Sequence, residues 1–179
     1  MSNPAPTPNA NPQLRLRLAN EAELPFIHLL TVNEPYFFHV DGKLIGFREF
    51  TDMDIKWYVL TNDDPNQYYG IASLGHIDLV NRSAAIGLVV LPDKRRGTLG
   101  KQALQLITKL GFETFGLHKL WASVVEDNRV VWEGMRRYGW TVSGRLMDAQ
   151  FMEGKFHNRV LLELINGRDR KESIPQTKP

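Results

Sequence analysis

The segment that most narrows what this chain can become lies just past its midpoint. An apolar run, Gly87-Leu88-Val89-Val90-Leu91-Pro92, leads into Asp93-Lys94-Arg95-Arg96-Gly97-Thr98-Leu99-Gly100-Lys101, and Leu99, Ala103, Leu106 and Leu110 then recur at helical spacing. This is a strand, a basic turn with glycines, and a helix with one apolar stripe. The strand needs a sheet and the helix needs a face to cover, so all-helical and all-strand folds are excluded. The helix start also sets free N–H groups and the positive end of a helix dipole beside Arg and Lys, an arrangement suited to phosphate. It is not a Walker A loop, because only Thr98 and Leu99 separate Gly97 from Gly100-Lys101 and Gln102 follows the lysine. A dinucleotide Gly-x-Gly-x-x-Gly fingerprint is absent as well. Taken alone, the turn fits a plain surface helix start equally well.

The rest of the chain supplies the elements around that junction. Leu14-Arg15-Leu16-Arg17-Leu18 alternates as a strand does. Residues 21–32 form an expected first helix, capped by Asn20 with Glu23 at its third position and stopped by Pro35. Residues 36–47 have the form of a hairpin about Asp41-Gly42, and 51–62 that of a short helix with Asp52 and Asp54 in its first turn. Residues 67–79 and 84–91 read as strands about Asn81-Arg82-Ser83. Gly116 suits the end of the helix after the basic turn, and Leu120-Trp121-Ala122-Ser123-Val124-Val125 reads as a strand. Asp127 or Asn128 then caps a helix with Val130, Gly134 and Tyr138 on one stripe, ended by Gly139. Residues 140–146 begin a further strand, and 151–165 a hairpin around Glu153-Gly154. The proline-rich 1–13 and the charge-alternating 166–179 are expected to be a disordered tail and a flexible tail around one folded domain, 14–165.

Composition removes several classes of function. With no cysteine the chain has no disulfide framework, thiolate zinc site or Cys nucleophile, and no metal site is expected. A formal charge of +2 is too small to indicate nucleic acid by itself. The apolar runs are far shorter than the roughly 18 residues of a membrane helix and the start lacks a signal-peptide core, so a cytoplasmic protein with no membrane partner is expected.

Three segments together resemble the GCN5-related N-acetyltransferases, and within them the ribosomal-protein alanine acetyltransferase-like branch. The stretch from Val90 through Arg95, Arg96, Gly97, Thr98, Leu99 and Gly100 is similar to that family's Arg/Gln-x-x-Gly-x-Gly/Ala acetyl-CoA motif, with Thr98 where a middle glycine is usual. Asn128 through Gly139-Trp140 resembles its Asn-helix-Gly-Phe segment, and Gly144-Arg145-Leu146 with Gly154-Lys155-Phe156 its closing hairpin. The resemblance implies a single α/β (α+β) domain with a mixed, largely antiparallel sheet flanked by helices. It implies acetyl-CoA as co-substrate and direct attack on the thioester by a primary amine, carried by a small molecule such as an amino sugar or by a protein N-terminus. Backbone groups of Leu88, Val89 and Val90 would hold the pantetheine arm, Arg95, Arg96, Gly97, Thr98, Leu99, Gly100 and Lys101 the pyrophosphate, and Asn128 the arm as well, beside its plain role as helix cap. Val131 and Met135 stand where relatives often carry Ser or Ala and the Tyr that protonates the leaving thiolate.

For the general base, His76 and Asp78 lie two apart on one strand, and Glu126 follows another. Imidazole is the side chain that ordinarily titrates near physiological pH. Tyr138, one turn beyond Met135, is the candidate substitute acid, against a core role beside Gly139. The aromatic-rich stretch 36–69 lines an acceptor pocket or forms core, and Asp52, Asp54, Asp63 and Asp64 attract an amine or simply sit in solvated turns. Two other readings stand beside the enzyme: a degenerate acyl-CoA-binding sensor, on account of Val131 and Met135, and a nucleic-acid binder using Lys94-Arg95-Arg96 and Arg136-Arg137. A homodimer is left open.

Overall fold

The computed structural model describes residues 12–33, 54–95 and 97–167. In chain order these form β1 (Arg15–Leu18), a 3-10 turn (Glu21–Glu23), α1 (Leu24–Asn33), β2 (Ile55–Thr61), β3 (Gly70–Asp78), β4 (Ser83–Val90) and a second 3-10 turn (Pro92–Lys94). There follow α2 (Leu99–Lys109), a π turn (Leu110–Thr114), β5 (Lys119–Val125), α3 (Arg129–Arg137), β6 (Thr141–Met152) and β7 (Lys155–Ile165). One seven-stranded sheet runs in the order β1-β2-β3-β4-β5-β7-β6. Its neighbours are antiparallel except β4 and β5, which are parallel.

Two expectations need comment. The helix at 51–62 is not formed: Ile55–Thr61 is β2, paired to β1 and β3. Trp57, Tyr58, Val59, Leu60 and Thr61 are all buried, so the strand is covered on both faces and loses the alternation that marks a half-buried one. The hairpin at 36–47 and nearly all of both expected tails lie outside the described residues.

The sheet is covered differently on its two faces. On one, α2 and α3 bring Leu104, Ile107 and Met135 onto Ala72, Leu74, Ala84, Leu120, Ala122 and Leu162, with Trp140 closing the cluster. On the other, Ile27 of α1 packs on Trp57, Val59, Ile71 and Val89, so its cover extends from β2 to β4. Burying each such aliphatic side chain contributes about 1.5–3 kcal/mol. The start of α1 is fastened to β1 by Glu23, which is 6% exposed. Its carboxylate accepts from Arg17 Nη2 at 2.6 Å and Nη1 at 3.0 Å, the Asn20 N–H at 2.9 Å and the Tyr68 hydroxyl at 2.7 Å. The Arg17 hydrogen bond, followed by the Asn20 and Tyr68 donors, overcomes desolvation and pulls this carboxyl down to about 2.

The last hairpin turns where the sequence places it. Met152 pairs with Lys155, and Glu153 and Gly154 have φ of 52° and 79°, as a primed two-residue turn requires. β6 extends to Met152, well past the expected 146, because register shifts between Val142 and Gly144 and between Leu146 and Gln150 break its period.

Candidate active site

The decisive geometry is in the one parallel pair. β4 and β5 pair only through Ser83↔Lys119, Ala84↔Leu120 and Ala85↔Trp121. Both strands continue, to Val90 and Val125, without pairing each other further. From Ile86 onward the β4 peptide groups that face β5 have no ladder partner there, which opens a wedge between two halves of one sheet.

The basic turn stands at the wide end of that wedge. Arg95 Nε donates to the Val90 carbonyl at 2.9 Å, drawing the turn back onto the end of β4, and Gly97 takes a left-handed φ of 68°. Thr98 precedes the first turn of α2, and its hydroxyl accepts from Gln102 Nε2 at 3.3 Å. Leu99 is buried with Leu14, Leu60 and Tyr69 and anchors the helix, so only its backbone faces the turn. At Gly100 a Cβ would meet nothing within 4 Å, which leaves open space at the helix N-terminus. Lys101 Nζ lies 5.4 Å from the centre of the Tyr138 ring. Arg96 is outside the described residues. Val89 packs toward α1 and Leu88 toward the opposite core, so β4 offers a ligand its backbone rather than its side chains.

The catalytic candidates are not brought together. His76 has a φ of 49° in a break of register between Gly75 and Asp78, so the two-residue period that put it on one face with Asp78 is interrupted. The exposed His76 ring stacks on Trp121 at 5.8 Å. Asp78 instead holds the β3–β4 turn, accepting from the N–H groups of Val80 at 2.9 Å and Asn81 at 2.8 Å, and the Asn81 donors keep its carboxyl below the usual range. Glu126 accepts from Asn158 Nδ2 at 2.9 Å and from Arg145, and these two partners lower its pKa likewise. Tyr138 is half-exposed at the end of α3, beside Lys101. A cleft of about 370 Å³ opens next to it, walled by Leu104, Thr108, Phe112 and Trp140. Asn128 starts α3 without a side-chain capping bond, so the plain cap role is not what its amide serves. Met135 is 6% exposed in the central core and Val131 is 43% exposed.

Two clusters escaped the sequence. His157, 7% exposed, joins Nδ1 to Asp127 at 2.6 Å and Nε2 to the Met152 carbonyl at 3.2 Å, tying the last hairpin to the start of α3. Arg159 Nε donates to Ser123 Oγ at 2.7 Å, while its other nitrogens reach the Ser123 carbonyl and Gln150 Oε1. Both depend on hairpin register between distant residues, for which no local pattern exists.

A splayed parallel pair with a phosphate-type turn at its open end is what the resemblance implies, and comparison with known proteins agrees. The acetyltransferase (GNAT) domain model matches residues 14–141. The chain belongs to the GNAT acetyltransferase family. It is accordingly an acetyl-CoA-dependent N-acetyltransferase. A curated relative, a spermidine N(1)-acetyltransferase of Escherichia coli K12, is 25% identical over 156 residues, covering 82% of this chain and 83% of that one. Among solved structures, spermidine N-acetyltransferase from Vibrio cholerae in complex with CoA and spermine has a TM-score of 0.76 at 21% identity, over 86% of this chain and 95% of that one. A dodecameric form of the Vibrio cholerae enzyme has a TM-score of 0.74 at 20% identity, over 90% and 99%. These likenesses establish the fold; placement in the ribosomal-protein branch rests on sequence resemblance alone. Among the described residues no helix is long and apolar enough to cross a membrane.

Proposed function

We propose that the wedge between β4 and β5 takes the pantetheine arm of acetyl-CoA and that the turn from Arg95 to Lys101 takes its pyrophosphate, presenting the thioester to a primary amine on the α1 face of the sheet. The observation that carries this is the abrupt end of β4–β5 pairing after Ala85↔Trp121. A run of unpaired peptide groups in a sheet interior is satisfied by a ligand with its own amides, and pantetheine has two. Leu88, Val89 and Val90 offer those groups, and a donor among them aimed at the thioester carbonyl stabilises the oxyanion as the amine attacks. The C–N bond forms, the C–S bond breaks, and the amine proton leaves to a base while the thiolate departs. Asn128, free of capping duty, adds a bond to the arm. His76 is the base this geometry favours, because Asp78 and Glu126 are committed to other donors that lower their basicity.

The experiment separates a phosphate cradle from a bare helix start. Gly100→Val adds a side chain where the protein itself leaves open space, so the fold should hold. On this reading acetyl-CoA affinity falls by about 1–3 kcal/mol, as when charge-assisted phosphate bonds are lost. Equal affinity of the variant and the wild type by calorimetry would refute the cradle.

A polyamine acceptor is the second reading, favoured by the spermidine acetyltransferases that the chain resembles.

A further inference from the structure

Asn20 and Asn128 each stand just before a helical segment, and only Asn20 has the backbone of a helix cap. Asn20 has φ of −95° and ψ of 168°, the extended conformation from which a cap side chain reaches the first N–H groups of its helix. Asn128 has φ of −80° and ψ of 59° and makes no side-chain capping bond. The Arg129 N–H instead donates to the Asp127 carbonyl at 2.9 Å, across one residue. Those angles and that bond together are an inverse γ-turn centred on Asn128. The turn leaves the partly exposed Asn128 at the wide end of the wedge, just past the end of β5, with its amide off the N–H groups of α3.

A side chain from another element reaches this corner. β5 ends at Val125, opposite Arg159 of β7. The Glu126 N–H still donates to the Asn158 carbonyl at 2.9 Å, so the pairing runs one residue past the strand. One step further the chain turns away, and the next rung is made by side chains, His157 Nδ1 meeting Asp127 Oδ2 at 2.6 Å. The His157 side chain is buried and that of Asp127 is 61% exposed, so the ring is the fixed end of this bond. His157 Nε2 lies 3.2 Å from the Met152 carbonyl, which seats the ring in the last hairpin. The two nitrogens therefore do different work, Nδ1 on the corner before α3 and Nε2 on the hairpin's own backbone. Asp127 carries both halves of the arrangement: its carbonyl closes the γ-turn and its carboxylate is held by His157.

We propose that His157 is a positioning residue for the co-substrate: through Asp127 it holds Asn128 in the γ-turn that aims the Asn128 amide at the pantetheine arm. This rests on the acetyl-CoA placement above and adds to it a residue that touches no ligand. Among the described residues the Asp127 carboxylate has no other hydrogen-bond partner. Without the Nδ1 bond Asn128 is free to take the extended backbone in which its amide bonds its own helix, and the arm loses a partner.

Substitution separates the two ring nitrogens. The side-chain amide nitrogen of Asn falls near the place of Nδ1, and that of Gln near the place of Nε2. Acetyl-CoA affinity is measured by calorimetry for wild type, His157→Asn, His157→Gln, Asp127→Ala, Asn128→Ala and the double variant His157→Gln with Asn128→Ala. His157→Asn keeps the donor to Asp127 and should bind within about twofold of wild type. His157→Gln and Asp127→Ala should each bind about 10-fold more weakly, the value of one good hydrogen bond. Because the effect passes through Asn128, His157→Gln should cost nothing further once Asn128→Ala is present. A role confined to hairpin stability gives the opposite order: His157→Gln, which keeps the Met152 bond, then binds as wild type does, and that result overturns the inference. Additive losses in the double variant overturn it as well. Asp127→Ala alters the exposed end of the pair and keeps the test open should a His157 variant fail to fold. An Asn128→Ala affinity equal to wild type overturns the inference and the Asn128 contact while the wedge and the phosphate turn stand. Absence of acetyl-CoA binding by the wild-type protein removes the placement and the inference together.

Discussion

At the scale of the residue, His76 has a conformation that few side chains accept. Its φ of 49° falls in the left-handed region, where Asn is tolerated better than most residues. Such strain persists only where surroundings enforce it, and here the Trp121 ring provides one such contact. His76→Asn therefore removes the imidazole with little change to the backbone. As the base, its loss should lower kcat by about 10²-fold or more with KM for acetyl-CoA unchanged. Steady-state rates within threefold of wild type would move the proton to water or to a carboxylate. The residue scale is also where the sequence was least legible. The spacing of His76 and Asp78 is that of a shared face, and only the register break between Gly75 and Asp78 cancels it. Gln150 and Arg159 carry no local signal at all, since their meeting depends on where a hairpin turns.

At the scale of the element, what was legible depended on how many faces a segment buries. α2 buries one face, and its stripe and glycine stop stand out in the sequence. The expected α3 stripe of Val130, Gly134 and Tyr138 is not the buried one, since Val130 and Tyr138 are exposed and Met135 carries the contact with the core. β2 buries both, and its run Ile55-Lys56-Trp57-Tyr58-Val59-Leu60 suits a buried helix turn as well as a strand until its β partners are known. Asp52 and Asp54 favoured the helix, as acids near a start do. Asp63 and Asp64 serve the turn instead, one paired with Arg15 and the other accepting from the Asn66 N–H at 3.0 Å. The wedge could not be read from sequence, because strand ends do not reveal where pairing stops. It does lend itself to a direct measurement. Amides of β4 beyond Ile86 that face β5 should exchange with solvent deuterium faster than those bonded to β3, and saturating acetyl-CoA should slow them about 10-fold or more. Protection unchanged by ligand would remove the arm from this strand.

At the scale of the whole molecule, Glu23 is the buried carboxylate among the described residues, and its pairing is expected to weigh more on acid stability than the surface pairs do. Glu23 ordinarily titrates near 4.5 and is held at about 2 in the fold. A lowered native value means the contribution is fully present above the ordinary one and is lost as pH falls from there toward 2. About 2–3 kcal/mol should disappear over that window, which thermal melts at a series of pH values will register. Glu23→Gln should be less stable at neutral pH and flatter in acid; a parallel pH profile would show that the staple contributes little. The two halves of the sheet raise a different point. Among the described residues, β1–β4 join β5–β7 through three strand pairs, the Arg82 hydrogen bonds to residues 116–119, the His76–Trp121 stack and the packing of α2 and α3. On the placement proposed above, the co-substrate would lodge as a spacer between the two halves of the sheet, where their own pairing has stopped. Acetyl-CoA placed there would serve as a structural member as well as a reagent, and the amine would meet a surface that the first ligand has helped to complete.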